Sequence, residues 1–115
     1  MRLTTLEEAV LNAMADRNRS DAAAIRSQVG AVTVLRRENT GAGFYTYLKP
    51  SPSQILVTSR VVKNVFAKIC SLNNPMVFLL FSDKGIIKML EGAAIAEDTT
   101  AVDFSNVPFE ILPDR

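Results

Sequence analysis

The sequence predicts an α+β fold: two N-terminal helices packed on one face of a mostly antiparallel sheet of about five strands. Three observations carry that expectation. Apolar residues recur at helical spacing as far as Gly30, then on alternate positions beyond it. Two glycine-bearing connections, Asn39 to Gly43 and Ser82 to Gly85, separate strand-like runs as hairpins do. A length of 115 residues, 48% hydrophobic and 22% charged, suits a single domain, 1–115, with one modest core.

Leu3, Leu6, Val10, Leu11 and Met14 form the apolar stripe of the first helix. Thr4 with Glu7, or Thr5 with Glu8, has the spacing of a capping box, in which hydroxyl and carboxylate each accept a backbone amide. Asp16 to Arg19 breaks the pattern. Ser20 or Asn18 then caps a second helix through Ala22, Ile25 and Val29, ending at Gly30.

Val32 and Val34 alternate with Thr33 and Leu35 in one strand, and Phe44, Thr46 and Leu48 with Tyr45 and Tyr47 in the next. The stretch between them, RRENTGAGFYTYL, reads as a strand end, a tight connection and a new strand. Pro50 to Ser53 is a surface connection, and Gln54 to Ser59 reads as a strand. Val61 to Cys70 fits either period, but its density of β-branched residues and its shortness favour a strand. Met76 to Phe81 and Ile86 to Leu90 flank the Ser82 to Gly85 turn, and Glu91-Gly92 ends the second of them. Ala93 to Val102, small and acidic, reads as a surface segment. Val107 to Leu112 returns as an edge strand, where Pro108 is tolerated.

The strands from Met76 to Leu90 are apolar at both parities, which predicts cover on both faces. Two short helices cover one face. The expectation is therefore a homodimer formed by one patch meeting itself across a two-fold axis, with curling of the sheet as the alternative.

Composition closes several chemistries. Without histidine there is no His-based dyad and no His-ligated metal. A net charge of +1 offers no strong pull on nucleic acid or an anionic membrane. Cys70 is the single cysteine and reads as a buried, inert thiol, compatible with a reducing compartment. The first ten residues lack a signal-peptide core, and the longest apolar run is too short to span a bilayer, so a cytoplasmic protein is expected.

Gly41-Ala42-Gly43 is half of a dinucleotide fingerprint, but strand-like residues follow it where a helix should open, so a turn is the better reading. Arg36, Arg37, Tyr45 and Tyr47 read as cross-strand Arg–aromatic packing in preference to a nucleic-acid surface. Glu38 and Glu91 lie at strand ends and could divide acid and base roles if a cleft joined them. Glu97, Asp98 and Asp103 lack the alternating spacing of a calcium loop. No cofactor and no metal is assigned.

The residues Arg37, Glu38, Thr40, Gly41, Gly43, Phe44, Tyr45 and Thr46, and later Leu90, Glu91 and Gly92, carry a resemblance. In these stretches the chain resembles a family of small uncharacterised bacterial proteins with an Arg-Glu-x-Thr-Gly-x-Gly-Phe-aromatic-Thr motif and a strand ending in Leu-Glu-Gly. Its members often carry a Glu-His-Gly type segment before the late strand, where this chain has Leu72-Asn73-Asn74-Pro75. The resemblance implies an α+β fold and leaves function open.

Two functions follow as expectations. The first is a non-catalytic module binding a protein or small ligand through Arg37, Glu38, Thr40, Gly41, Gly43, Tyr45 and Glu91. The second is a small hydrolase or transferase using the Glu38 and Glu91 carboxylates. A pocket joining these residues would favour the enzyme, and a solvated surface the binding module.

Overall fold

The computed structural model describes residues 1–52 and 55–114. Helix α1, Thr5–Arg17, starts at a capping box. The Thr4 hydroxyl accepts the Glu7 amide at 3.1 Å and the Glu7 carboxylate accepts the Thr4 amide at 2.7 Å. Leu6, Val10, Leu11 and Met14 are buried, as the stripe requires. At the far end, the Asn18 side-chain amide donates to the Met14 carbonyl.

A 3-10 turn, Arg19–Asp21, leads into α2, Ala22–Val29. The expected caps, Ser20 and Asn18, are corrected here. Asp21 holds the N-cap position without bonding the helix, because its carboxylate accepts the amides of Thr58 and Ser59.

The strands are β1 Thr33–Asn39, β2 Gly43–Lys49, β3 Val61–Ile69, β4 Met76–Asp83, β5 Ile86–Ala93 and β6 Phe109–Ile111. They form an antiparallel sheet in the order β1-β2-β5-β4-β3-β6, six strands where about five were expected. The ambiguous segment is strand β3, which forms ladders with β4 on one side and β6 on the other. A bulge interrupts it at Lys63 and Asn64, where Asn64 adopts φ 76°, a left-handed conformation that asparagine tolerates. The edge strand near the C-terminus is β6, and Pro108 stands just before it.

Three further readings are corrected. The strand expected over Gln54 to Ser59 is absent from 55–59, and Ser53 and Gln54 lie outside the described residues. The backbone there has partners other than a ladder: Val57 donates to the Gly85 carbonyl, and Thr58 and Ser59 to Asp21. Strand β5 continues through Glu91 and Gly92 to Ala93, since both residues pair with β2 and β4. The segment after it is not wholly a surface one, because Thr99 is fully buried and bonds to the β1–β2 turn.

One face of the sheet is buried. Phe44, Thr46 and Leu48 of β2 share it with Met76, Phe78 and Leu80 of β4 and with Val65 and Ala67 of β3. Helix α1 packs against β3 and β6, and α2 against β5. Phe44 stacks edge-on against Phe78 at 6.1 Å and lies 4.6 Å from the Phe104 ring. These rings close over Gly92, where an added Cβ would stand 2.7 Å from Phe44 and 2.8 Å from Phe78.

The other face is not buried in this chain. Val77, Leu79 and Phe81 of β4, with Met89 of β5, are half-buried, and Phe66 is 42% exposed. The runs that are apolar at both parities thus separate into a core set and a partly solvated set.

Candidate interaction face

Strand register assembles the outer face row by row. Glu38, Tyr45, Glu91 and Leu79 are successive cross-strand partners on β1, β2, β5 and β4. The adjacent row is Arg36, Tyr47, Met89 and Phe81. At a strand spacing of about 4.8 Å, Glu38 and Glu91 stand about 10 Å apart with Tyr45 between them.

The Tyr45 and Tyr47 rings meet edge-on at 6.2 Å. The Arg36 guanidinium stacks over Tyr47 at 3.9 Å, the Arg–aromatic packing expected from the sequence, and also lies 3.8 Å from Glu38. The Glu91 carboxylate makes no hydrogen bond or ion pair among the described residues.

Arg37 points the other way. Neighbouring strand residues face opposite sides, so Glu38 turns outward and Arg37 inward to α1. Its Nε and Nη2 donate to the two Glu7 oxygens at 2.8 and 2.7 Å, and Nη2 also reaches the Arg2 carbonyl. The Thr46 hydroxyl donates to Glu7 at 2.5 Å. Burial pushes the Glu7 carboxyl up, but the bonds from Arg37, Thr46 and the Thr4 amide outweigh it and hold the group below its usual range. Glu7 in turn raises Arg37.

A cleft of about 220 Å³ opens beside this pair, lined by Thr4, Glu38, Phe44, Val102 and Phe104 among others. With its charge matched by Glu7, Arg37 clamps the first helix to β1 instead of standing free for a ligand. Sequence reasoning marked Glu7 as a helix start but missed it as Arg37's partner, because no spacing rule joins residues thirty positions apart.

Thr40, Gly41 and Gly43 belong to the turn, and its amides are engaged internally. Gly41 donates to the Asn39 side chain at 2.9 Å, Ala42 to the Thr40 hydroxyl at 3.3 Å, and Gly43 to the Thr99 hydroxyl at 2.9 Å. No amide of these three is left to cradle a phosphate. Gly43 has φ 129°, and a Cβ there would lie 1.9 Å from the Gly92 carbonyl oxygen. These residues build the hairpin.

The acidic segment is likewise engaged. Glu97 accepts the amides of Asn73 and Asn74, Asp98 that of Thr100, and Asp103 that of Ser105. Among the described residues no three potential metal ligands gather. Cys70, expected to be buried, is exposed, because it follows inward-facing Ile69 at the end of β3.

Of the expected site, then, the structure sets Glu38, Tyr45 and Glu91 in one cross-strand row and turns the Arg37 side chain to α1, while Glu38 and Arg37 both border the small cleft. Among the described residues no helix is long and apolar enough to cross a membrane. No protein-family model, curated protein or solved structure matches the chain.

Proposed function

We propose that the chain is a non-catalytic binding module that recognises a protein through the outer face of its sheet. In this reading both helices lie on the buried face and leave the outer one free for a partner. The observation that carries it is the half-exposed field of Tyr45, Tyr47, Leu79, Phe81 and Met89, an aromatic and aliphatic surface with Glu91 within it and Arg36 and Glu38 at its edge. Monomers rarely leave such a continuous patch in water, and its composition matches the anchor residues of protein interfaces.

The carboxylate enzyme is less well supported. Glu38 and Glu91 stand on a solvated sheet surface with a tyrosine between them, and Arg37 is on the opposite side. That arrangement offers no shared cleft in which unequal burial could separate an acid from a base.

Site-specific photocrosslinking in the producing cell tests the reading. A benzophenone side chain at Phe81 or Tyr47 should yield adducts of higher mass. The same group at Glu8, exposed on α1, should yield none. Equal labelling at both places, or no adduct from the sheet, would exclude the outer face as the interaction site.

A further inference from the structure

In the row of Tyr45 the outer face carries opposite charges on its two halves, while the neighbouring positions on β1 and β2 add Arg36 and Lys49. On the side of β1, β2 and β5 stand Glu38 and Glu91, with Tyr45 between them. Across the sheet, β3 pairs Val62 with Leu80 and Val65 with Phe78, so Lys63 and Asn64 together stand opposite Leu79. Lys63 follows inward-facing Val62 and is exposed, which turns it to the outer face in the row of Glu91 and Tyr45.

We propose that the partner is a second copy of this chain, docked face to face so that Lys63 of each copy seats on Tyr45 of the other, between Glu38 and Glu91. This rests on the reading of the outer face as an interaction surface. A two-fold axis parallel to the strands, between β4 and β5, lays β3 of one copy over β2 of the other, and β4 over β5. Rows are preserved by that operation, so the row of Lys63 meets the row of Tyr45 without a shift along the strands.

Chemistry supports this occupant. A lysine over a tyrosine ring gains a cation–π contact, and Glu91 supplies the counter-charge, with Glu38 shared between Lys63 and Arg36. The second copy also supplies what burial requires: the Glu91 carboxylate makes no side-chain hydrogen bond or ion pair among the described residues, and Lys63 would bring it a counter-charge. Between the two charged sites, Val77, Leu79 and Phe81 of β4 meet Met89 of β5, an apolar layer of the kind that fills aligned sheet packings.

Area agrees as well. Five strands about 4.8 Å apart and about 23 Å long span a plane on the order of 550 Å². Side-chain relief adds to that plane, toward the roughly 800 Å² that each partner gives a standard interface.

Sedimentation velocity of the purified full chain across micromolar concentrations is the test. The expected result is a dimer. Lys63→Glu should raise its dissociation constant about thirtyfold or more, and so should Glu38→Lys with Glu91→Lys. The chain carrying all three changes should bind at least about tenfold more tightly than either charge-reversed variant, because the ion pairing is restored although the cation–π contact with Tyr45 is not. A dimer indifferent to these reversals, or a triple variant that stays dissociated, would overturn the proposal. A monomer at every concentration overturns it too. If that monomer still crosslinks from Phe81 to another protein, the outer face stands as the site and the second copy falls; without adducts, both fall.

Discussion

Arg37 of β1 and Glu7 of α1 form a two-pronged ion pair whose carboxylate also receives the Thr46 hydroxyl and the Thr4 amide. One glutamate thus closes the helix cap, neutralises an inward-facing arginine and satisfies a buried threonine. Glu7 is 1% exposed, so it depends wholly on these partners.

The first prediction separates Arg37 from its neighbour Glu38. Arg37→Ala strands a buried carboxylate and should cost about 3 kcal/mol, the lower end of the range for breaking a buried pair, because Arg37 keeps 28% of its side chain in water. Glu38→Ala removes an exposed charge and should change stability by no more than about 0.5 kcal/mol. Urea unfolding of both variants decides it, and comparable losses would contradict the clamp.

Acid should unfold the protein through Glu7 and Asp21. Both carboxyls are held below their ordinary values of 4.5 and 3.8, Glu7 by Arg37, Thr46 and Thr4, and Asp21 by Thr58 and Ser59, in each case against the opposing push of burial. A depressed folded value means that the stabilisation is complete above the ordinary value and is lost as pH falls through the folded one. Stability should therefore be level down to about pH 5 and decline below it. Glu7→Gln should lower the plateau and flatten the decline. A variant with an unchanged acid slope would remove Glu7 from this account.

Around Gly92 the core leaves no room. Phe44→Ala should cost about 3–5 kcal/mol by opening a cavity against Phe78 and Phe104. Gly92→Ala meets ring edges that can shift slightly and should cost about 1–3 kcal/mol. Gly43→Ala meets a backbone oxygen that cannot shift and should be the most damaging of the three. Thermal melts ranking Gly43→Ala as the mildest would refute the close strand approach.

Gln28 is fully buried and joins three backbone groups: its amide donates to the Ile55 and Gly85 carbonyls, and its oxygen accepts the Ile87 amide. Gln28→Leu preserves bulk but leaves the Ile87 donor dry, at a cost of about 1–3 kcal/mol. Hydrogen exchange at the Ile87 amide should accelerate in the variant, and an unchanged rate would show that another acceptor serves it.

Local rules carried the elements with strong periodicity. The capping box of α1, its buried stripe, the β1–β2 and β4–β5 hairpins and the edge strand near Pro108 are each set by neighbours within a few positions, and the sequence alone determined them. It also marked Glu38 and Glu91 as carboxylates near strand ends and Tyr45 as a residue of the second strand. What it could not contain is pairing across the fold. That β5 lies between β2 and β4 decides that Glu38 and Glu91 flank one tyrosine, and that Lys63 shares their row. Alternation placed Arg37 and Glu38 on opposite faces, but which face turned to the first helix depended on Glu7, thirty residues away. The segment 55–59 had strand-like composition, yet its Val57, Thr58 and Ser59 amides bond to the Gly85 carbonyl and the Asp21 carboxylate in place of a ladder. Backbone groups bond to whichever partner the tertiary structure brings within reach, and no local pattern records that choice.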